Sequence, residues 1–177
     1  MACPQGTITL WQPTTLTGAR ERARYCALAG VSELDGLERL VPVRTVVREQ
    51  LAWATSWWKH TPRPEDSDYP ALAQLLDLDI TLDDTVDDLR ARDRFLLRIV
   101  LALLSRPDAS LLIVDDIDQV KSMTVRDEVF FRLKNLSQRI PVIVNSSNPD
   151  TTGTVDRALW ISPEERDVED EQPSEED

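Results

Sequence analysis

The chain of 177 residues contains 41% hydrophobic and 29% charged residues, so it can bury the core of one ordinary domain. This composition excludes a wholly disordered chain, a collagen-like repeat and a disulfide scaffold. The formal net charge of -12 makes the chain strongly acidic, which argues against binding to nucleic acid or to anionic lipid. The single histidine, His60, argues against a histidine-based zinc site or triad, and two cysteines fit a reducing compartment.

The first third of the chain shows short strand and helix patterns. Residues 6–11 (GTITLW) alternate in polarity and predict a strand that ends at Gln12-Pro13. Residues 17–24 are compatible with a short helix, residues 25–29 with a short buried strand, and residues 31–40 with a loop. Residues 45–59 predict a long helix, whose apolar stripe contains Val47, Leu51, Ala54 and Trp58.

The middle of the chain predicts a linker followed by helices. Residues 60–70 are acidic and rich in proline, which is typical of a surface linker, and residues 71–76 predict a short helix. Residues 77–88 form an aspartate-rich loop without the glycine of a calcium-binding EF-hand. Ala91–Ser105 predicts a long helix that ends before Pro107. Its apolar run is about half the length of a membrane span of ~20 residues, so it predicts a core helix.

The last third alternates apolar strands with a helix. Leu111–Val114 (LLIV) predicts a strand buried on both faces, as in a parallel sheet. Residues 124–139 predict a helix with a Thr124–Asp127 capping box and an apolar stripe of Val125, Val129, Leu133 and Leu136. Residues 141–144 predict a second buried strand and residues 157–161 a last one. The alternation predicts an α/β fold with a parallel sheet core and right-handed crossovers.

Two carboxylates, Asp115 and Asp116, directly follow the LLIV strand. They are expected at the carboxyl end of a parallel strand, where α/β folds bind ligands. In a nucleotide hydrolase the first such acid holds Mg²⁺ through water and the second orients the attacking water, so Asp115 is the candidate metal ligand. The same pair is also an ordinary way to cap a helix. Without phosphate-binding residues beside it, the structural role is the favoured interpretation.

The run ARDRFLLRIVLALLSRPDASLLIVDD resembles the segment that joins the signature helix to the Walker B strand in ATP-binding cassette (ABC) ATPases. Further pieces occur in the order of that family: GTITLWQPTTL resembles its strand hairpin and TVVRE the start of its helical subdomain. PVIVNSSNPD resembles the strand before the switch histidine, and VDRALWI the closing strand. The resemblance implies a P-loop-NTPase-like core in residues 1–163, with a helical subdomain inserted at about 45–106.

The departures from the family are as informative as the matches. No G-x-x-x-x-G-K-[ST] is present, and the chain begins just after the point where that loop would lie, which predicts an N-terminally truncated domain. The signature motif aligns with bulky, charged residues 89–93, and the Q-loop glutamine falls at Ala29 or Gly30. Asp116 replaces the catalytic glutamate, Ser122 the D-loop aspartate and Ser147 the switch histidine. Only Asp115 remains, so the resemblance implies a pseudo-ATPase with no confident catalytic residue and no cofactor.

The tryptophans favour interaction over catalysis. Trp53, Trp57 and Trp58 lie on one predicted helix, and core packing accounts for only one or two of them. At least one is therefore a candidate contact with a partner, since tryptophan is enriched at binding hot spots. Residues 164–177 contain nine acids and one base and predict a disordered acidic tail.

The sequence thus predicts a non-catalytic or regulatory ABC-ATPase-like subunit. The resemblance implies docking on an integral membrane protein or a complete cassette ATPase, with no direct membrane insertion. The absence of a targeting segment predicts a cytoplasmic location, extending to the inner face of the cell membrane. One alternative is an ATP-binding transporter subunit whose phosphate loop lies on a missing or separate segment, with Mg-ATP as its ligand. The other is a cytoplasmic adaptor protein unrelated to ATP.

Overall fold

The computed structural model describes residues 9–11, 15–31, 37–38 and 40–161. The strands in these ranges are Leu10–Trp11 (β1), Thr15–Leu16 (β2), Cys26–Ala29 (β3), Leu111–Val114 (β4) and Val142–Val144 (β5). The α-helices are Ala19–Arg24 (α1), Val43–Ala54 (α2), Tyr69–Leu75 (α3), Ala91–Ser105 (α4) and Met123–Leu136 (α5). Short 3-10 turns occupy Pro64–Asp66, Val86–Asp88 and Ile117–Gln119. The predictions for residues 6–8, 12–13, 32–36, 39 and 164–177 lie outside the described residues.

The central sheet is parallel, as predicted, with strand order β3-β4-β5. Its register aligns Leu28 with Ile113 and Ile113 with Ile143. Strands β1 and β2 form a separate antiparallel hairpin. The connection from β3 to β4 contains α2, α3 and α4, and the connection from β4 to β5 contains α5. The α/β class and the parallel core are therefore confirmed.

Helix α4 forms the centre of the hydrophobic core. All of its residues from Phe95 to Leu104 are buried except Arg98. The helix packs against β3 on one side and against α2, α3 and α5 on the others, which is why its apolar surface runs all round. Its bounds agree with the prediction. No helix in the described ranges is both long enough and apolar enough to cross a membrane.

Helix α2 differs from the predicted helix at residues 45–59. It begins at Val43, whose N–H donates to Asp84 O at 2.9 Å. It ends at Ala54, because Thr55 adopts an extended backbone and its hydroxyl donates to Leu51 O at 2.7 Å. The predicted stripe therefore holds only for its first part: Val47 and Leu51 are buried, whereas Ala54 is exposed.

Helix α5 begins one residue before the predicted start and uses a different cap. Ser122 Oγ accepts from Val125 N at 3.5 Å, so the predicted Thr124–Asp127 capping box is wrong. The Asp127 carboxylate instead accepts from Arg126 Nη2 at 3.3 Å. The predicted apolar stripe is confirmed, since Val129, Leu133 and Leu136 are buried.

The sheet is less buried than its apolar sequence predicted. Leu112 and Val114 of β4 are fully buried, but Ile113 between them is half-buried. Ile143, in the middle of edge strand β5, is 55% exposed. The strand predicted at residues 157–161 is absent and these residues are exposed, since no neighbouring strand in the described part of the chain pairs with them. Strand-forming residues need such a partner to become a strand.

Candidate functional site

The carboxyl edge of the sheet brings the predicted acid pair next to residues that follow β3 and β5. Asp115 N donates to Ala29 O at 2.8 Å, and Asn145 N donates to Val114 O at 2.9 Å. The Asn145 side chain donates to Asp115 Oδ1 at 2.9 Å. Asp115 therefore lies where the sequence predicted, but one of its carboxylate oxygens already has a partner within the chain.

Asp116 occupies an unusual backbone conformation. Its φ of 51° is in the left-handed region, which aspartate tolerates better than most residues. It precedes the turn Ile117–Gln119, but its side chain does not cap that turn. The helix-capping explanation of this residue is therefore wrong. The left-handed backbone conformation of Asp116 turns the chain at the end of β4.

Gly30 ends β3 in close contact with the backbone of the acid pair. Its φ is +79°, and a Cβ at this position would lie 2.3 Å from Asp115 O. Only glycine fits both the conformation and the space. The Gly30 carbonyl accepts from Gln119 Nε2, and Gln119 Oε1 accepts from Arg98 at 2.9 Å. These two hydrogen bonds connect Arg98 of α4, through the Gln119 side chain, to the backbone at the end of β3. The sequence analysis did not identify Gln119 or Arg98.

Asp118 holds the segment that follows β5. Its carboxylate accepts from Ser146 Oγ at 2.9 Å and from Asn148 Nδ2 at 3.1 Å, and it also accepts from the Ser147 N–H. Burial alone raises the pKa of Asp118, but these three donors and the charge of Arg126 outweigh burial and lower it below its ordinary value. Asp118 is therefore an ionised structural anchor for the loop that contains Ser147.

Arg126 is the charged partner of this anchor and is fully buried. Its Nη1 lies 3.6 Å from Asp118 Oδ1, and its Nη2 donates to Pro149 O at 3.1 Å. The guanidinium carbon also lies 5.4 Å from the centre of the Phe130 ring. The sequence analysis missed both Asp118 and Arg126. The available signal was the run Ser146-Ser147-Asn148, whose hydrogen-bonding groups need partners once the loop packs.

Residues 89–93, the segment aligned with the ABC signature, span the two residues before α4 and its first three residues. Asp93 is buried and pairs with Arg92 at 2.8 Å, and Arg92 also reaches Glu128 at 3.3 Å. Two shallow depressions of about 400 and 280 Å³ lie beside this segment, and both are lined by Asp79 and Arg92. Neither includes Asp115, so these depressions are separate from the carboxyl edge of the sheet.

The three tryptophans do not share one helix. Trp53 lies in α2, whereas Trp57 and Trp58 lie in the turn after it. Their exposed fractions are 85%, 91% and 69%, so the explanation by core packing is wrong for all three. The rings of Trp57 and Trp58 pack edge to face with centres 5.6 Å apart. Trp53, Trp57 and Trp58 are named the tryptophan surface below.

Within the described ranges, no three His, Cys, Asp or Glu side chains lie close enough to hold a metal ion together. Asp115 could offer a metal ion only one carboxylate, and one oxygen of that carboxylate already accepts a hydrogen bond from Asn145. A divalent cation such as Mg²⁺ is usually held by one or two carboxylates together with phosphate oxygens. The carboxyl edge as it stands therefore depends on another group for tight metal binding.

No protein-family model matches the chain, and no curated protein matches it. Among solved structures, it is similar to a chain of an ABC transporter assigned to the metal-chelate type, captured in an inward-facing conformation. The similarity has a TM-score of 0.52 at 19% sequence identity and covers 70% of this chain. It covers 48% of the transporter chain, so the shared region spans about half the length of that protein. The likeness establishes an ABC-like fold for this chain.

Proposed function

We propose that this chain is a non-catalytic, ABC-ATPase-like subunit that docks through the tryptophan surface on an integral membrane protein or a complete cassette ATPase. The observation that carries the proposal is the exposure of all three indoles, Trp53, Trp57 and Trp58, at 69% to 91%. Large aromatic side chains left in water are typical of interaction sites, and two of these three rings, Trp57 and Trp58, are in contact with each other. The proposal places the subunit at the cytoplasmic side of the membrane.

The state of the carboxyl edge supports the non-catalytic part of the proposal. Asp115 accepts a hydrogen bond from Asn145, and Asp118 is saturated by the loop after β5. The 177 residues contain no glycine-rich loop with a lysine, which would supply N–H groups and a positive charge for the β- and γ-phosphates. The start of α4 is filled by the Arg92–Asp93 pair in place of small residues. Nothing in this arrangement favours Mg-ATP as a ligand.

Capture experiments with single variants test the docking surface. Trp57→Ala and Trp58→Ala are compared with wild type in pull-downs from solubilised membranes, with the captured proteins identified by mass spectrometry. A hot-spot tryptophan contributes about 2 kcal/mol or more, so one of these variants should bind its partner roughly thirty-fold more weakly. Trp160→Ala is the matched control, since Trp160 is 77% exposed and lies outside the tryptophan surface. Because the replaced rings are exposed, both variants should keep the wild-type Tm.

Two results would contradict the proposed function. Undiminished capture of the same membrane or cassette protein by both variants would remove the docking role of the tryptophan surface. Calorimetry with Mg-ATP tests the other half of the proposal, and no binding is expected in the micromolar range. Micromolar binding that is lost in Asp115→Ala would instead support a nucleotide-binding transporter subunit, completed by a phosphate loop on another segment.

A further inference from the structure

The amino edge of the central sheet, where β3, β4 and β5 begin, is basic. Arg24 ends α1 two residues before β3, Arg106 follows α4 before β4, and Arg139 follows α5 before β5. The three strands are parallel, so the residues that precede them lie at the same edge. A hydrogen bond from Ser110 N to Tyr25 O, at 2.9 Å, joins the starts of β3 and β4 directly. Arg24, Arg106 and Arg139 are named the arginine edge below.

The arginine edge lacks a counter-charge within the described ranges. All three side chains are exposed, and none of them forms an ion pair with a described residue. The segments that contain them, residues 17–25, 105–110 and 137–141, also include Arg20 and Arg22, and their only acids are Glu21 and Asp108. Five positive and two negative charges leave +3 in a chain whose net charge is -12. Because like charges held together repel one another, this edge is suited to an acidic ligand.

The chain returns to this edge after β5. Helix α5 runs from the carboxyl edge of the sheet to its amino edge, since it connects the end of β4 to the start of β5. Arg126, in the first turn of α5, donates to Pro149 O at 3.1 Å, and Lys134, in the last turn, pairs with Asp156. Residues 149–156 therefore follow α5 back towards the amino edge. Asp156 lies at the same end of the molecule as Arg139, which follows Lys134 by five residues.

Residues 164–177, the acidic segment, begin close to the arginine edge along the chain. They contain nine acids and one base. An extended chain spans about 3.4 Å per residue, so the eight residues from Asp156 to Glu164 reach up to about 27 Å. The starts of three neighbouring strands span only about 10 Å. A short tether also gives an effective concentration on the order of millimolar, so the acidic segment outcompetes an untethered ligand of similar chemistry.

Other anions fit the arginine edge less well. Nucleic acid and anionic lipid would approach a chain that is acidic as a whole, with a net charge of -12. A small phosphate compound would need a pocket, and the two depressions beside residues 89–93 are lined by other residues. The acidic segment of a second copy has the right chemistry, but in a micromolar solution its concentration is far below that of the tethered segment.

We therefore propose that the acidic segment folds back and pairs its carboxylates with the arginine edge of the same chain. The contact is electrostatic, since the segment offers one aliphatic side chain, Val168, among nine acids. Contacts between exposed charges add little to stability, so the Tm is not the measurement that detects this one. Salt screens it, because the Debye length falls from about 20 Å to about 4 Å between about 20 and 500 mM salt. The proposal uses no residue of the tryptophan surface and is independent of the function proposed above.

Photo-cross-linking of the purified full chain tests the proposal. A photoreactive p-benzoylphenylalanine replaces Gln138, which is exposed and next to Arg139, and cross-linked peptides are sequenced by mass spectrometry. The matched control carries the same group at Ser147, which is exposed but lies at the carboxyl edge. A mixture of unlabelled and nitrogen-15-labelled chains distinguishes adducts within one chain from adducts between copies. The expected adduct joins position 138 to residues 164–177 of the same chain, with a yield at least about fivefold higher in about 20 mM than in about 500 mM NaCl.

Neutral substitutions provide the second measurement. Replacing all three residues of the arginine edge with glutamine should lower the yield of that adduct at least about fivefold, because it removes the charges that attract the segment. This variant should fold, since the three side chains are exposed. The matched control replaces three exposed arginines elsewhere with glutamine and should leave the yield unchanged: Arg48, Arg63 and Arg90.

Four results would overturn the proposal. The first is no adduct between position 138 and residues 164–177 in low salt. The second is an equal yield from position 147, which would mean that the segment contacts both edges alike. The third is a yield that changes neither with salt nor with the neutral substitutions. The fourth is an adduct that joins labelled to unlabelled chains, which would assign the arginine edge to the acidic segment of a second copy.

Discussion

Replacing Arg126 with methionine removes the buried charge that faces Asp118 while keeping an unbranched side chain beside Phe130. Breaking a buried ion pair by removing one partner costs about 3–5 kcal/mol, because the remaining charge loses its compensation. Asp118 keeps its hydrogen bonds from Ser146, Ser147 and Asn148, and its side chain is 16% exposed. The lower end of the range, about 3 kcal/mol, is therefore expected.

Urea and thermal unfolding followed by far-ultraviolet circular dichroism measure this loss. For a chain of this size, about 3 kcal/mol corresponds to a fall in Tm of roughly 6–12 °C. Asp118→Asn keeps the shape but removes the charge, and the double variant closes a thermodynamic cycle. The losses of unfolding free energy in the two single variants should add up to about 1–2 kcal/mol more than the loss in the double variant, because the two side chains interact directly.

Two results would refute this reasoning. A cost below about 1 kcal/mol for Arg126→Met would mean that the guanidinium contributes no more than an ordinary surface group. Costs that add to within about 0.5 kcal/mol would mean that Asp118 and Arg126 stabilise the chain independently. In either case the loop after β5 would be held by its hydrogen bonds alone.

Gly30→Ala should cost more than about 2 kcal/mol, because it combines a left-handed backbone with a Cβ placed 2.3 Å from Asp115 O. Gly153→Ala, with a φ of +68° but nothing within 4 Å, should cost only about 1 kcal/mol in the same urea titration. Hydrogen bonds from the Val155 and Thr152 N–H groups lower the pKa of Asp150 from 3.8 to about 2. The ionised Asp150 carboxylate therefore stabilises the folded chain fully above pH 3.8, and this contribution is lost as the pH falls through about 2. The stability difference between wild type and Asp150→Asn should shrink over that window; a difference that persists would show that the charge is irrelevant. Deleting residues 164–177 should leave the Tm unchanged, and a loss of cooperative unfolding would show that they pack on the body.

The elements predicted best are those with strong local signals. Helix α4 and strand β4 have the predicted bounds, since an uninterrupted apolar run is followed by Pro107 in one case and by Asp115 in the other. Helix α2 ends earlier than predicted. Its apolar periodicity continues to Trp58, but the hydroxyl of Thr55 donates to the carbonyl of Leu51 and the chain turns there. A local competition of this kind is invisible to periodicity.

The candidate site was predicted only in part. The position of Asp115 at the end of a parallel strand follows from the LLIV pattern, but its bond to Asn145 joins residues 30 positions apart. Arg126 lies next to Val125 in a helix whose stripe is aliphatic, and its complete burial depends on the approach of Pro149 and Asp118. The polar run Ser146-Ser147-Asn148 indicates that the loop needs hydrogen-bonding partners, but not which residues provide them. Nothing local distinguishes Arg126 from a solvated arginine.

The placement of the tryptophans has a spectroscopic consequence. The chain has five tryptophans, and the four whose side chains the structure describes, Trp53, Trp57, Trp58 and Trp160, are all exposed. Indole emission responds to the polarity around the ring, so unfolding should change the fluorescence of these four residues little. Burial of Trp57 or Trp58 against a partner should instead shift their emission to shorter wavelength. The emission of these described tryptophans would then report on docking, with little contribution from their own response to unfolding.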